Sequence, residues 1–397
     1  MSAAGIPHLD LDPFGAAFLE DPYPSHHALR DAGSVVWLPA IGAFAMARYC
    51  EVKAALSDHV SYCSGRGVGL ADFAKEVPFR PASLLLETDP PLHDRTRGLM
   101  NKIVSLSALR ARRERWQAVA DSLLTRLVQK RTFDGVRELS EAFPMQVFPE
   151  TIGLQEQGRE HLLTYAGTVF NAFGPRNTLF EQGQRNAQEA IEWVTDSCRR
   201  KNLLPGGWGM AVFEAADRGD CSEVEAERLV RSFITAGVDT TVNGIGHMLL
   251  AFATHPEAWI QVRRDPRLHR TVFDESLRWD GTVQTFFRTT TRDVAVAEHI
   301  IPEGSKVLLF LAAANRDPRY WANPERFHPA RKNAGHVGFG FGIHQCLGQM
   351  VARQEAEVVL SALFAKVDSI RVAGRISRRL NNTIHALHSL PLEVTAF

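Results

Sequence analysis

A mainly α-helical fold with a small β-rich portion is what the sequence predicts, on three observations. From Thr88 to Thr254 apolar residues recur at helical spacing with few interruptions. Strand-like runs are confined to a short stretch near the N-terminus and to Phe286–Leu311. Between Ala314 and Gly342 neither pattern holds, and more than about twenty residues without regular structure inside a compact domain usually serve a function.

In chain order, strands are expected at Val35–Leu38 and Gly42–Ala47, then a helix through Tyr49–Leu56. A helix opens after Asp89-Pro90-Pro91, because proline is pre-set for a first helical turn. The longest helix begins at Ser222, where Ser222 and Glu225 have the spacing of a capping box. It runs without proline to His255-Pro256, roughly 45 Å at about 1.5 Å per residue. Glu225, Glu227, Arg228, Arg231 and Asp239 exclude it as a membrane span. Another helix follows Asp265-Pro266. The β-rich region turns at Pro302-Glu303-Gly304, and a last helix is expected from Leu347 to Phe364.

The 397 residues carry 45 basic and 45 acidic side chains, so no global field favours nucleic acid or an anionic membrane. Without a linker, low-complexity tract or internal repeat, residues 1–397 read as one domain. Met1–Phe14 contains Asp10 and Asp12 and no apolar core of a signal peptide, and no run reaches membrane-spanning length. A cytoplasmic protein is expected. Five cysteines, widely spaced and without a CxxC pair, argue against disulfides or structural zinc.

The most informative segment is Phe339-Gly340-Phe341-Gly342-Ile343-His344-Gln345-Cys346-Leu347-Gly348. Its glycines let the backbone approach a flat ligand and adopt positive φ. Cys346 falls at the expected start of the last helix, where amides and the helix dipole lower a thiol pKa. In isolation, a lone cysteine is more often a small buried hydrophobe.

Three further patterns precede it. Glu275 and Arg278, three apart, share one helix face. His93 and Arg97, four apart, begin the helix after Pro91. In Ala236-Gly237-Val238-Asp239-Thr240-Thr241, midway along the longest helix, glycine and paired threonines are poor helix formers. Their hydroxyls can bond back to the i−4 carbonyl and open the ladder. Taken singly, each has a bland structural explanation.

Together and in this order they resemble the cytochrome P450 family, over essentially the whole chain. The resemblance implies the cytochrome P450 fold, with a long central helix over haem and the cysteine loop beneath it. It implies haem b (Fe-protoporphyrin IX) ligated by the Cys346 thiolate, with Phe339 and Gly340 against the macrocycle. It also implies propionate contacts from His93, Arg97, Arg288 and His344, with His336 as a further candidate. Asp239 and Thr240 match the acid–alcohol pair that relays protons during oxygen activation. Glu275 and Arg278 match a brace completed by a later arginine, expected to be Arg326, with Arg331 as the rival. The family often has a proline where Thr282 stands, so the wall carrying Val283 and Phe286 is expected to shift.

Four segments are similar to a narrower bacterial group that oxidises and demethylates para-substituted benzoic acids such as 4-methoxybenzoate. These are Ser64–Leu70, Arg80–Leu84, Val169–Pro175 and Arg231–Thr235. Phe170, Phe173 and Phe286 then form a flat slot for one aromatic ring, with Leu86, Thr235, Ala236 and Val283 completing the lining. Arg80, Ser83, Arg231 and Ser232 supply a carboxylate anchor. Other small apolar substrates, or a haem-thiolate isomerase or sensor, are the alternatives. No flavin fingerprint occurs, so electrons are expected from a separate protein, and the resemblance implies an iron–sulfur ferredoxin with a flavoprotein reductase that draws on NAD(P)H. The basic run Arg95, Arg97, Lys102, Arg110, Arg112, Arg113 and Arg115 is the expected steering surface.

Overall fold

The computed structural model describes residues 5–397. Among the described residues helices dominate, and four small sheets pack at their margins. The largest joins the early strands Val36–Leu38, Ala43–Met46 and Tyr62–Cys63 to Thr285–Thr290 and Lys306–Phe310. Ala43–Met46 runs parallel to Lys306–Phe310, with Phe44 opposite Val307, whereas Thr285–Thr290 pairs with it antiparallel. Five cysteines remain free, and among the described residues no helix is long and apolar enough to cross a membrane.

The capping box forms in both directions, Ser222 Oγ accepting from Glu225 N (3.2 Å) and Glu225 Oε2 from Ser222 N (2.9 Å). The expected single long helix is instead two, Glu223–Gly237 and Asp239–Thr254, meeting at Val238 (φ −97°, ψ −68°). Thr240 and Thr241 donate their hydroxyls to the carbonyls of Ala236 (2.7 Å) and Gly237 (3.2 Å). Gly237 is required here, because a Cβ would lie 2.1 Å from the Phe148 ring. Local back-bonding and a close side chain together break the ladder.

Beneath the break, the Val272–Trp279 helix holds the Glu275–Arg278 pair fully buried, in two bonds of 2.8 and 2.9 Å. The third member is Arg331, whose Nε lies 3.0 Å from Glu275 Oε1; this corrects the expected Arg326. Arg326 is exposed and contributes only its carbonyl, accepting from Arg278 (3.2 Å) and Arg331 (3.1 Å). A fully buried carboxylate needs charge within reach, and only Arg331 supplies it from the irregular stretch.

The last helix, Gln349–Lys366, packs along Leu106–Lys130. Beyond it lie strands that the sequence reading did not anticipate. Val367–Val372 and Pro391–Ala396 form a sheet with Thr132–Asp134, and Ser377–Arg379 pairs with Ala386–Ser389. The turn of that second hairpin reaches the centre of the molecule. Asn382 Nδ2 donates to Asn171 O (2.8 Å), and Thr383 Oγ1 to Phe170 O (2.8 Å).

Candidate active site

A cavity opens between the helix break above and the cysteine loop below. Gly340 (φ +69°) and Gly342 (φ +72°) fold the loop tightly, and Cys346 N donates to Phe339 O (2.8 Å). A Cβ on Gly342 would lie 2.4 Å from the Leu56 carbonyl oxygen, so glycine is obligatory there. Cys346 precedes the N-cap of the last helix, Gly348, rather than opening the helix. The expectation of a lowered thiol pKa is corrected: burial pushes it up, against the opposing pull of the Gly348 and Gln349 amides and the Arg97 and Arg353 guanidiniums. Binding a metal deprotonates a thiol outright, so a buried cysteine with amide donors remains a competent ligand.

The groups around this loop fit a flat dianionic prosthetic group. Arg288 is buried without an ion pair among the described residues, and burial pushes its guanidinium down to about 10. His344 Nδ1 lies 3.1 Å from Leu85 O and His93 Nδ1 3.1 Å from Asp94 Oδ1. The Nε2 atoms of both rings are buried without partners, and the ring centroids are 4.4 Å apart. Arg97 reaches Gln345 O (2.6 Å), and burial lowers its pKa. A buried arginine bonded only to the Phe287 carbonyl (2.8 Å) and two imidazoles with unpaired Nε2 atoms beside one cavity are costly unless an anion pairs with them, as two propionates would.

His336 is not brought to this group, which corrects its expected role. Its Nδ1 accepts from Gly338 N (3.2 Å), and its Nε2 faces Asp274 (3.9 Å). The ring therefore supports the turn before the cysteine loop instead of the cavity. Burial pushes its pKa down to about 4.

On the distal side, Thr240 lines the cavity but Asp239 does not. Asp239 is buried; Arg379 Nη2 lies 2.9 and 3.2 Å from its two oxygens, and Asn243 Nδ2 donates to Oδ1 (3.0 Å). Arg379 was missed because the chain beyond Phe364 was not read as strands. The apolar alternation of Leu392 and Val394 with Glu393 and Thr395 signals the Pro391–Ala396 strand, but the three-residue strand that carries Arg379 has no such pattern.

Every residue expected to face the substrate lies in the cavity wall: Arg80, Ser83, Leu86, Phe170, Phe173, Arg231, Ser232, Thr235, Ala236, Val283 and Phe286. The rings of Phe170, Phe173 and Phe286 meet edge-on at centroid separations of 5.9 and 5.8 Å. The wall at Thr282 keeps Val283 and Phe286 at the cavity, because backbone bonds from Gln284 to Thr383 (2.9 Å) and from His385 to Thr282 (2.8 Å) fix it. At the far end, Ser83 Oγ and Ser232 Oγ are 3.5 Å apart. Arg231 donates to Pro81 O (3.2 Å) and Arg228, a residue not anticipated, to Ala82 O (2.6 Å). Arg80 is instead paired with buried Glu87 (3.0 Å).

The basic run is largely committed. Arg95 pairs with Glu225, Arg113 with Glu357 (3.0 Å) and Arg115 with Glu150 (3.2 Å), while Arg112 binds Gly206 O (2.8 Å). Lys102 and Arg110 are exposed without an ion pair among the described residues.

The profile of the family described as cytochrome P450 matches residues 209–369. The chain is 48% identical over 393 residues to cytochrome P450 CYP199A2 of Rhodopseudomonas palustris, covering 99% of this chain and 95% of that protein. It is 30% identical to cytochrome P450 107B1 of Saccharopolyspora erythraea, covering 99% of each. The solved structure of cytochrome P450 CYP109Q5 from Chondromyces apiculatus matches with a TM-score of 0.82 at 28% identity, over 98% of this chain and 99% of that one.

Proposed function

The chain belongs to the cytochrome P450 family and is a monooxygenase, and from that premise we propose that its substrate is a small para-substituted benzoate. Haem, held by Cys346, supplies the oxygen-activating chemistry, and a redox partner supplies electrons. The observation that carries the substrate reading is the polarity of the cavity. A slot walled by Phe170, Phe173 and Phe286 ends in the two serine hydroxyls, with Arg231 and Arg228 free of any ion pair among the described residues. One aromatic ring fills such a slot, and a carboxylate accepts from the Ser83 hydroxyl and balances the charge. Anchored there, the ring directs its para substituent toward the iron, so geometry selects the bond that is oxidised.

Thr240 lines the cavity with its hydroxyl donating to Ala236 O (2.7 Å), and Asp239, the preceding residue, is held by half-exposed Arg379. The Asp239 carboxylate, on leaving Arg379 transiently, takes up a proton from solvent and passes it on through the Thr240 hydroxyl, which turns from Ala236 O to do so. Electrons come from NAD(P)H through a reductase and an iron–sulfur ferredoxin, for which Lys102 and Arg110, exposed and without an ion pair or hydrogen bond among the described residues, are the available cations of the basic run.

Titration of the haem spin state tests the substrate. 4-Methoxybenzoate should bind roughly ten- to a hundredfold more tightly than 4-methoxybenzamide, since a charged hydrogen bond is worth about 1.5–3 kcal/mol. Equal affinities would overturn the carboxylate reading.

A further inference from the structure

We propose that Glu87, outside every motif of the chain, sets how strongly the cavity holds an anion and so acts as a positioning and specificity-determining residue; this rests on the carboxylate reading above. Residues 83–87 form one turn, closed by Glu87 N donating to Ser83 O (3.1 Å). The Glu87 side chain, 2% exposed, folds back over that turn. Its Oε2 accepts from Ser83 N (2.8 Å) and from Arg80 Nη1 (3.0 Å).

Two consequences follow for the far end of the cavity. First, Ser83 Oγ already accepts from the amides of Leu85 (3.3 Å) and Leu86 (3.1 Å). Its own O–H is therefore left to donate into the cavity, where Ser232 Oγ is the neighbouring oxygen. Ser232, by contrast, spends its hydroxyl on Arg228 O (3.1 Å). The turn that Glu87 closes thus holds a pre-oriented donor in Ser83. Second, Glu87 cancels the charge of Arg80, whose side chain is 10% exposed. Arg80 and Arg231 line this end of the cavity, with Arg228 behind them on the Ala82 carbonyl, so Arg231 is the lining arginine left as counter-charge for a bound carboxylate.

This weakening has a use. Monooxygenation at the para position leaves the carboxylate untouched, so substrate and product grip the anchor equally. A site with the full charge of both lining arginines would retain its product and slow turnover. Glu87 keeps the anchor selective for acids without making it a trap.

The experiment uses the holoenzyme and reads dissociation constants for 4-methoxybenzoate and 4-methoxybenzamide from the haem spin state. Glu87→Gln preserves shape and an acceptor for Ser83 N while releasing the charge of Arg80. It should tighten the acid about tenfold, as a further charge at this range does, and leave the amide within about twofold. Arg80→Gln should do the reverse, weakening the acid about tenfold or more, because an unpaired buried carboxylate then faces it. The double variant, with both charges removed, should return close to the wild-type acid-to-amide ratio. Parallel losses for acid and amide in Glu87→Gln would overturn the proposal and make Glu87 merely structural. Should that variant fail to take up haem, Arg80→Gln decides alone: an equal loss for both ligands overturns the proposal. Equal binding of acid and amide by the wild type is a different failure, that of the carboxylate reading itself.

Discussion

Asp239 and Thr240 are adjacent in sequence but face different surroundings. Successive helical residues point about 100° apart, so one can line the cavity while the other meets the outer hairpin. Thr240 spends its hydroxyl on Ala236 O, and Asp239 is held by Arg379 and Asn243. Neither touches the groups that fit haem, which gives their substitution a distinctive signature. Thr240→Ala and Asp239→Asn should each leave the haem spectrum and the substrate-induced spin shift nearly intact. They should lower the yield of product per NAD(P)H several-fold, with hydrogen peroxide appearing instead, because a positioned proton donor contributes about 10²–10⁴-fold to its step. Unchanged coupling in both variants would remove the pair from the proton path.

At the scale of elements, the cavity is shaped by contacts between segments far apart in the chain. Its roof, at Phe170 and Phe173, hangs from the Asn381–Thr383 turn of a late hairpin. Its floor is held from below by the Glu275–Arg278–Arg331 brace, in which Arg278 also donates to the carbonyls of Asn315 (3.0 Å) and Pro324 (2.8 Å). The brace ties the Val272–Trp279 helix to the irregular stretch that leads into the cysteine loop. Removing Arg331 takes one charged hydrogen bond from a buried carboxylate and should cost about 1.5–3 kcal/mol. Arg326→Ala leaves the backbone carbonyl in place and should fall within about 0.5 kcal/mol of wild type. Thermal unfolding of the two variants, with haem retention followed by absorbance, separates them. Equal destabilisation would return Arg326 to the brace.

Across the whole molecule, buried imidazoles make stability depend on pH. His26 is packed against Phe18, Tyr23 and Phe310 with both ring nitrogens unpaired, and burial holds its pKa well below the ordinary value. Burial likewise pushes His385 down to about 3. In the unfolded chain such groups take up protons near pH 6.5, whereas the native protein resists until far lower. The unfolded state therefore binds more protons throughout that window. Their contribution to stability is complete above about pH 6.5 and is lost as pH falls toward about 3. Each group contributes up to about 1.4 kcal/mol per pH unit. Urea unfolding of the haem-bound protein should shift to lower midpoints between pH 7.5 and 5.5. His26→Leu, which removes one titrating group, should flatten that dependence by about the contribution of one histidine. An identical pH dependence in the variant would show that His26 does not carry it.

What the sequence determined by itself was whatever depends on neighbours along the chain. The capping box at Ser222, the back-bonding threonines, the glycines of the cysteine loop and the shared face of Glu275 and Arg278 are all spacings of a few residues. Helical geometry and allowed φ values fix their consequences before any tertiary contact exists. The cavity-lining residues were legible through resemblance, which carries tertiary information that local spacing lacks. Three things only the tertiary structure decided. It chose Arg331 over Arg326, because reach to a buried carboxylate depends on how an irregular stretch folds back. It turned His336 toward Asp274, since a neutral ring whose Nδ1 accepts from Gly338 N presents its Nε2–H to the facing carboxylate. It also brought Arg379 to Asp239 across 140 residues. Such pairings are set by which buried charge must be compensated, a condition on three-dimensional packing that periodicity does not encode.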